Sequence, residues 1–266
     1  MKTNLIYHIT PFIENKAWIE NIQCLSRYMQ IFNNKKIVNV AIGENCHNLE
    51  EVKKYFNSYD VEFITTPNNP ELRETASFIK LLEKIYSLDP NEITFYAHTK
   101  GVTRTKGDSL GEAVRLWYEY MYRYNLSNIE KVRKILTKYP CCGYFKGVAR
   151  PPWFPEFSRW HYSGTFFWFN NYALFSKNWR DIALERFGTE AYLSRFFSNN
   201  EAHALFMNSR HELYDIDYWR GVVFPFEKLI KINENLFNRK AFLLLLTAGY
   251  FGRKFIQRNI RFPVNV

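Results

Sequence analysis

Residues 93–101 read ITFYAHTKG, and their pattern is the clearest indication of the fold in this sequence. The apolar run predicts a buried strand, and the polar segment that begins at His98 predicts that the strand ends in a loop. Similar short runs precede it at residues 5–9, 36–42 and 61–65. Segments with apolar residues at helical spacing separate these runs, at residues 13–32, 49–59 and 71–87. Alternating strands and helices predict an α/β fold with a parallel sheet and right-handed crossovers.

The second half of the chain changes in composition near residue 139. Its pattern predicts helices at 110–124 and 129–136, a strand at 142–146, a loop rich in Pro and Trp at 151–160, an aromatic strand at 165–169, and helices near 179–186 and 201–207. We therefore expect a single domain over residues 1–225, followed by a helical tail at 226–266. Within the domain, we expect residues 1–138 to form a half that binds a donor substrate and residues 139–225 to form a half that binds an acceptor substrate.

The composition limits the class of protein. With 47% apolar residues in 266, the chain has enough apolar surface for a buried core, which excludes wholesale disorder. The net charge of +10 indicates an anionic partner. Residues 226–266 hold eight bases and two acids, so 8 − 2 = +6 of that charge lies in the tail.

The cysteines and the apolar runs bear on the location of the protein. The four cysteines lack CxxC spacing, and Cys141 and Cys142 are adjacent, which disfavours a relaxed disulfide. No apolar run of about twenty residues is present to span a bilayer. A cytoplasmic protein is expected. The spacing of the histidines matches no metal signature, and GxSxG, GxxxxGK[ST] and GxGxxG are absent.

The segment HTKGVTR indicates a site for a phosphorylated ligand. Ligands of open α/β sheets bind beyond the carboxyl ends of the strands, where this segment is expected. Lys100, Arg104 and His98 would stabilise negative charge on a departing diphosphate, and Gly101 would allow close approach of the backbone. The alternative is a polar turn with solvated charges.

The segment WHYSGTFFWFNN, residues 160–171, suggests contacts to a sugar acceptor. Sugars stack their C–H faces on aromatic rings, so Trp160 and Tyr162 are candidates for a platform, together with Trp168. The turn formed by Ser163, Gly164 and Thr165 would allow close approach of the acceptor. For any single aromatic residue here, packing in the core is the alternative.

Two acidic residues, Glu201 and Glu190, are candidate bases that would take the proton of an acceptor hydroxyl. Both lie in the segment FGTEAYLSRFFSNNEAHALF, residues 187–206. Glu201 is expected in the first turn of a helix capped by Asn200. The alternative is that this glutamate only stabilises the helix dipole.

With the order of strands and helices, HTKG and SGTFFWF, the chain resembles glycosyltransferases of the GT-A type over roughly residues 5–218. Within that type it looks closest to the polysaccharide group that includes rhamnan-synthesis proteins. The resemblance implies a Rossmann-type, mostly parallel sheet flanked by helices. It also implies transfer from a nucleotide-sugar donor to a carbohydrate or lipid-linked acceptor in surface polysaccharide synthesis. Thr10 and Arg73 would then flank the nucleotide, and Glu201 falls where the family keeps its catalytic acidic residue.

One position departs from the family pattern. Most members carry Asp-x-Asp at the diphosphate, where this chain has His98, Thr99 and Lys100. The charge of the lysine would substitute for Mn or Mg, so we expect no protein metal ligands and no required cofactor. The chemistry would then be independent of Mn or Mg, or would depend on it only weakly. The departure is also compatible with a non-catalytic scaffold, or with a protein that binds a phosphosugar or nucleic acid. No nucleic-acid motif is present, so a nucleic-acid partner is not expected.

The tail carries AFLLLLTAGYFGRKFIQRNIRF at residues 241–262. Its apolar run is too short to cross a bilayer, but basic residues flank it and would attract anionic headgroups. We expect either peripheral attachment to the inner face of the membrane or a helix that packs on the catalytic domain.

Overall fold

The computed structural model describes residues 1–103, 109–148, 151–208, 212–232 and 236–259, with the backbone alone at 232, 236–240 and 255–259. The strands are β1 (Lys2–Ile9), β2 (Lys36–Ile42), β3 (Glu62–Pro67), β4 (Glu92–His98), β5 (Cys141–Gly147), β6 (His161–Tyr162), β7 (Phe167–Asn170) and β8 (Ala202–Asn208). The helices are α1 (Ala17–Ser26), α2 (Leu49–Lys53), α3 (Thr75–Lys84), α4 (Ser109–Leu126), α5 (Ile129–Leu136), α6 (Asn171–Phe175), α7 (Gly188–Ala191), α8 (Leu193–Phe196), α9 (Ile216–Tyr218), α10 (Phe224–Ile232) and α11 (Leu236–Asn259).

The eight strands form one mixed, mostly parallel sheet. Its order is β3-β2-β1-β4-β7-β5-β6, and β8 pairs with β5. The first four strands are parallel to one another, as the sequence predicts. Strand β7 runs antiparallel to both β4 and β5, while β8 runs parallel to β5. The carboxyl ends of β1 and β4 therefore meet at the same edge as the start of β7.

The central strands are buried, which explains their continuous apolar runs. All seven residues of β4 and all but the first of β1 are buried. Aromatic side chains fill the space between the sheet and the helices. Phe78 of α3 contacts Tyr96 of β4 at 4.7 Å and Tyr192 at 4.9 Å between ring centroids, in edge-to-face geometry.

Asparagine side chains begin three of the helices. Asn48, Asn128 and Asn170 each accept a hydrogen bond from a backbone N–H three residues on, at 2.9–3.0 Å. This contact satisfies one of the N–H groups that the first turn of a helix leaves without a partner.

The strand at 36–42 and the helix at 129–136 are confirmed with the bounds that the sequence predicts. The expected helices at 179–186 and 201–207 are wrong. Residues 202–208 form β8, because pairing with β5 satisfies the backbone of this segment. Residues 179–187 are not helical, and the helices of this region are the short segments α6, α7 and α8. The aromatic strand begins at Phe167, since Thr165 has a positive φ.

The contacts divide the chain into two compact units. The first contains the described residues within 1–105 and 115–211, and the second those within 106–114 and 212–266. The expected division at residue 225 stays a prediction, although these contacts group residues from 212 onward with the C-terminal helices. The second unit consists of helices, in which a π-helical turn at Trp219–Val223 connects α9 to α10.

All four cysteines lie in the described parts of the chain, where each is free and buried. Burial raises the pKa of the Cys141 thiol to about 12 and that of Cys24 to about 11. These thiols therefore stay protonated and inert at neutral pH. In the part of the chain that the structure describes, no helix is both long and apolar enough to cross a membrane.

Candidate functional site

The candidate site lies where β1 and β4 end. His8 and His98 are partners in the parallel register of these two strands, so both side chains emerge on the same face of the sheet. The loops that follow are tied together, because Thr99 donates its backbone N–H to the carbonyl of His8 and accepts the N–H of Thr10 on Oγ1 at 3.0 Å. The two loops thus form one polar surface.

His98 is a neutral imidazole at the centre of this surface. Burial lowers its pKa to about 3, and the positive charges of Lys100 and Arg73 act in the same direction. Its Nε2 lies 3.1 Å from the carbonyl oxygen of Gly164. Because a carbonyl only accepts, this contact requires the proton on Nε2 and leaves Nδ1 as the acceptor of the ring.

Gly164 connects His98 to Glu190. While its carbonyl faces the imidazole, its N–H donates to Oε1 of Glu190 at 2.8 Å. The φ of Gly164 is +87°, and a Cβ there would lie 2.7 Å from Sδ of Met121 and 3.0 Å from Nε1 of Trp117. Only glycine fits this position, so the backbone that orients both candidate groups depends on it.

A second carboxylate approaches from the start of α3. Oε1 of Glu74 lies 4.0 Å from Nε2 of His98, and the side chain of Glu74 is only 13% exposed. His8 stands beside it, with Nδ1 2.7 Å from Oγ of Ser77 and Nε2 3.2 Å from Oγ1 of Thr10. Burial lowers the pKa of His8 to about 4.

Lys100 is held at the rim of the surface by its backbone and by an aromatic ring. Asn21 of α1 accepts the N–H of Lys100 at 3.1 Å and donates to its carbonyl at 2.9 Å. The ammonium lies 3.9 Å from the ring centroid of Trp117, a cation–π contact. This arrangement positions a cation beside His98 at low entropic cost.

Unusual backbone conformations cluster at this edge of the sheet. Among the described residues, those with positive φ are Arg73 (52°), Gly101 (84°), Gly164 (87°) and Thr165 (65°). For arginine, and more so for a β-branched threonine, this region is strained. Strain of this kind is concentrated where a ligand or a catalytic group has to be positioned, which agrees with a functional edge.

An open cleft lies next to this cluster, at the end of β3 and the start of α3. Its volume is about 460 Å³, and Asn68, Asn69 and Lys80 are among the residues that line it. Glu71 and two prolines also line it. Amide groups, one lysine, one glutamate and the apolar flank of two prolines suit a polar organic ligand.

Of the residues expected to bind the donor, Thr10, Arg73, His98, Lys100 and Gly101 lie together at this edge. Arg104 lies outside the described residues. Glu190 joins them through Gly164. Ser163, which precedes Gly164, is buried, and its Oγ lies 3.3 Å from Nε2 of His161.

The expected sugar platform is wrong for Trp160 and Tyr162. Each ring is only 1% exposed, and Trp168 is fully buried. Trp160 donates Nε1–H to the carbonyl of Phe197, and the hydroxyl of Tyr162 donates to the carbonyl of His203. Trp160 and Tyr162 form part of the hydrophobic core, in which they pack with residues of β4 and β7 such as Tyr96, Phe167 and Phe169. This burial agrees with the alternative of core packing. Trp153, at 63% exposure, is the accessible aromatic side chain of the preceding loop.

Glu201 lies away from the cluster. The next residue, Ala202, pairs with Cys141, which pairs with Phe169. Phe169 in turn faces Thr94, near the start of β4, whereas His98 ends that strand. Glu201 therefore lies towards the amino end of β4, away from the carboxyl end that carries His98. There its carboxylate accepts the N–H of Ser198 at 2.8 Å.

Sequence reasoning missed Glu74, His8 and Trp117. Glu74 was one of several acids at the start of an amphipathic helix, and His8 was a single polar residue in an apolar strand. The register of β1 against β4 places His8 beside His98, and a single sequence does not give that register. Glu74 and Trp117 come to the site from the start of α3 and from α4, a packing that the sequence does not give either. Within the described residues, no group of three His, Cys, Asp or Glu side chains stands where it would hold a metal ion.

A scan against protein-family models finds no match for this chain. A search of curated proteins finds no significant match either.

Proposed function

We propose that the protein is a GT-A-like glycosyltransferase, which moves a sugar from a nucleotide-sugar donor to a carbohydrate or lipid-linked acceptor in surface polysaccharide synthesis. One observation carries the proposal. A half-buried carboxylate, Glu190, is linked through the backbone of Gly164 to His98 at the carboxyl ends of the parallel strands β1 and β4. Two cations belong to the same region: Lys100 follows His98 by two residues, and Arg73 precedes Glu74, whose carboxylate lies 4.0 Å from Nε2 of His98. Transfer of a glycosyl group from a diphosphate needs cations and a base at one place.

In the proposed reaction, the bond between the anomeric carbon and the phosphate oxygen breaks, and a bond to the acceptor oxygen forms. The diphosphate leaves with the electron pair of the broken bond. Lys100 and Arg73 stabilise the charge that develops on it. Glu190 takes the proton of the acceptor hydroxyl on Oε2, because Gly164 already occupies Oε1.

His98 has a positioning role in this proposal. As a neutral imidazole it adds no charge to the site, and its Nε2–H holds the carbonyl of Gly164 in place. The other face of Gly164 then keeps Glu190 oriented. The amide-lined cleft next to Arg73 is large enough to accept part of a nucleotide.

A non-catalytic protein that binds an anionic ligand is the second candidate. One observation favours it, since the cleft is lined by residues of β3 and α3 and not by Lys100 or Glu190. Such a protein would bind a nucleotide or phosphosugar without turning it over.

Calorimetric titration with UDP, GDP, dTDP and CMP tests the donor site, with Mn and with chelator. We expect one nucleotide to bind selectively. Lys100→Ala should weaken that binding at least about tenfold, because a hydrogen bond to a charged group is lost. Lys138→Ala is the matched control, since Lys138 is exposed just before β5 at the opposite edge. No binding of any nucleotide, or equal losses in the two variants, contradicts the proposal.

A further inference from the structure

The long helix α11 of the second unit exposes an apolar stripe. The stripe consists of residues spaced three and four apart, Ala241, Leu244, Leu245, Ala248, Gly249 and Gly252, all of them exposed. Leu244 and Leu245 are each 71% exposed. Residues at this spacing lie on one face of a helix, so the face of α11 that meets solvent is apolar.

The opposite face of α11 fixes the orientation of this stripe. Leu243 and Tyr250 are buried, at 8% and 5% exposure. The ring of Tyr250 lies 5.1 Å from that of Tyr218, and its hydroxyl donates to Asp215 at 2.6 Å. Lys254 adds an ion pair to the same carboxylate at 2.8 Å. The helix is thus anchored within its unit, and rotation does not bury the stripe.

In the sequence, basic residues lie on both sides of the stripe. From residue 236 to residue 266 the sequence contains six bases and no acids, and the bases are Arg239, Lys240, Arg253, Lys254, Arg258 and Arg261. Arg253 comes one helical turn after Gly249, and its guanidinium lies 3.1 Å from the position that a Cβ on Gly221 would take. An open cleft of about 340 Å³ adjoins this end of the stripe, and three basic residues line it together with one acid, Asp217. The basic residues are Arg220, Arg253 and Lys254.

We propose that the stripe of α11 docks the protein on an anionic membrane surface, with the helix in the plane of the headgroups. A helix with an apolar face flanked by Lys and Arg binds at such an interface in two ways: it buries apolar surface, and its basic residues are attracted to anionic headgroups. Within the described residues, no helix is long and apolar enough to cross the bilayer. The location expected for the protein is then the inner face of the membrane.

Charge favours a membrane over a second copy of the chain as the occupant. A two-fold dimer through the stripe would bring two copies of the same basic segment together. Like charges across an interface are unfavourable, and residues 236–266 hold no acid that would pair with them. Anionic headgroups offer the complementary charge.

Sedimentation of the full chain with vesicles tests this proposal, using phosphatidylcholine alone and phosphatidylcholine mixed with phosphatidylglycerol. We expect binding to the anionic vesicles only, weaker at higher salt. The double variant Leu244→Glu, Leu245→Glu should bind anionic vesicles at least about tenfold more weakly than the unmodified chain, since it adds two negative charges to the apolar face. Arg253→Gln should lose about fivefold, the share of one basic residue near the surface.

Leu184→Glu is the matched control, because Leu184 is 75% exposed in the other unit. It should bind vesicles as the unmodified chain does. Absence of binding to anionic vesicles, or equal binding of the double variant, overturns the proposal. So does a dimer, measured by light scattering without lipid, that the double variant dissociates, since the stripe would then be covered by a second copy.

Discussion

The conformation of Gly164 gives the sharpest test of the site geometry. Replacing Gly164 with Ala forces a Cβ into a backbone with φ +87° and places it 2.7–2.8 Å from the thioether of Met121. Adopting a left-handed conformation costs an ordinary residue about 1–2 kcal/mol. Overpacking a closed site adds about 1–3 kcal/mol. We therefore expect Gly164→Ala to lower the free energy of unfolding by about 2–5 kcal/mol.

The same substitution should disturb the candidate site, because the backbone of Gly164 contacts both His98 and Glu190. Urea denaturation followed by fluorescence measures the stability. The matched control is Gly252→Ala, where a new Cβ meets nothing within 4 Å in helix α11. That variant should be neutral or more stable by up to about 1 kcal/mol, the preference of a helix for Ala over Gly. Equal stabilities of the two variants would show that position 164 accommodates a side chain without cost.

Two further predictions concern the pH dependence and the strained backbone. The folded pKa values of His8 and His98 are lowered to about 4 and about 3, so protonation favours the unfolded chain as the pH falls below 6.5. Between pH 7 and pH 5 each of these two histidines should remove about 2 kcal/mol of stability. Burial also lowers the pKa of His161 and His203, which add to the total loss. His98→Gln should therefore reduce the total loss by about 2 kcal/mol, measured by denaturation at each pH, and a stability that does not depend on pH contradicts this assignment. Arg73→Gly should relieve the positive φ and raise stability by about 1 kcal/mol while weakening nucleotide binding, measured by denaturation and calorimetry. A stability loss together with unchanged binding would contradict that prediction.

Much of the fold follows from the sequence, because its central strands are continuous apolar runs. The four parallel strands and the helices between them are confirmed, and β2 and α5 have the predicted bounds. The region after residue 175 was predicted less well. Residues 202–208 carry apolar side chains at spacings compatible with a helix. They form a strand instead, because their backbone pairs with β5 along its side that faces away from β7. Tertiary pairing of this kind overrides local propensity.

The candidate site was predicted in part. HTKG points to the carboxyl edge of β4, since polar residues directly follow a buried strand there. Glu74 and His8 escaped prediction because their proximity to His98 depends on sheet register and on the angle at which α3 begins. Trp160 and Tyr162 were misjudged because composition does not distinguish an aromatic residue of the core from one in a groove.

Transfer of sugar from a nucleotide-sugar donor tests the central claim most directly, with Glu190→Gln and Glu201→Gln compared under identical conditions. Gln at position 190 keeps an oxygen that accepts the N–H of Gly164, so the geometry is retained while the base is lost. The release of nucleotide diphosphate from a panel of donors measures turnover. We expect Glu190→Gln to slow this release by about 100-fold or more, the contribution of a positioned base, and Glu201→Gln to leave it unchanged. A protein that turns over no donor, or a Glu190→Gln variant as active as the unmodified chain, would exclude Glu190 as the catalytic base of a glycosyltransferase.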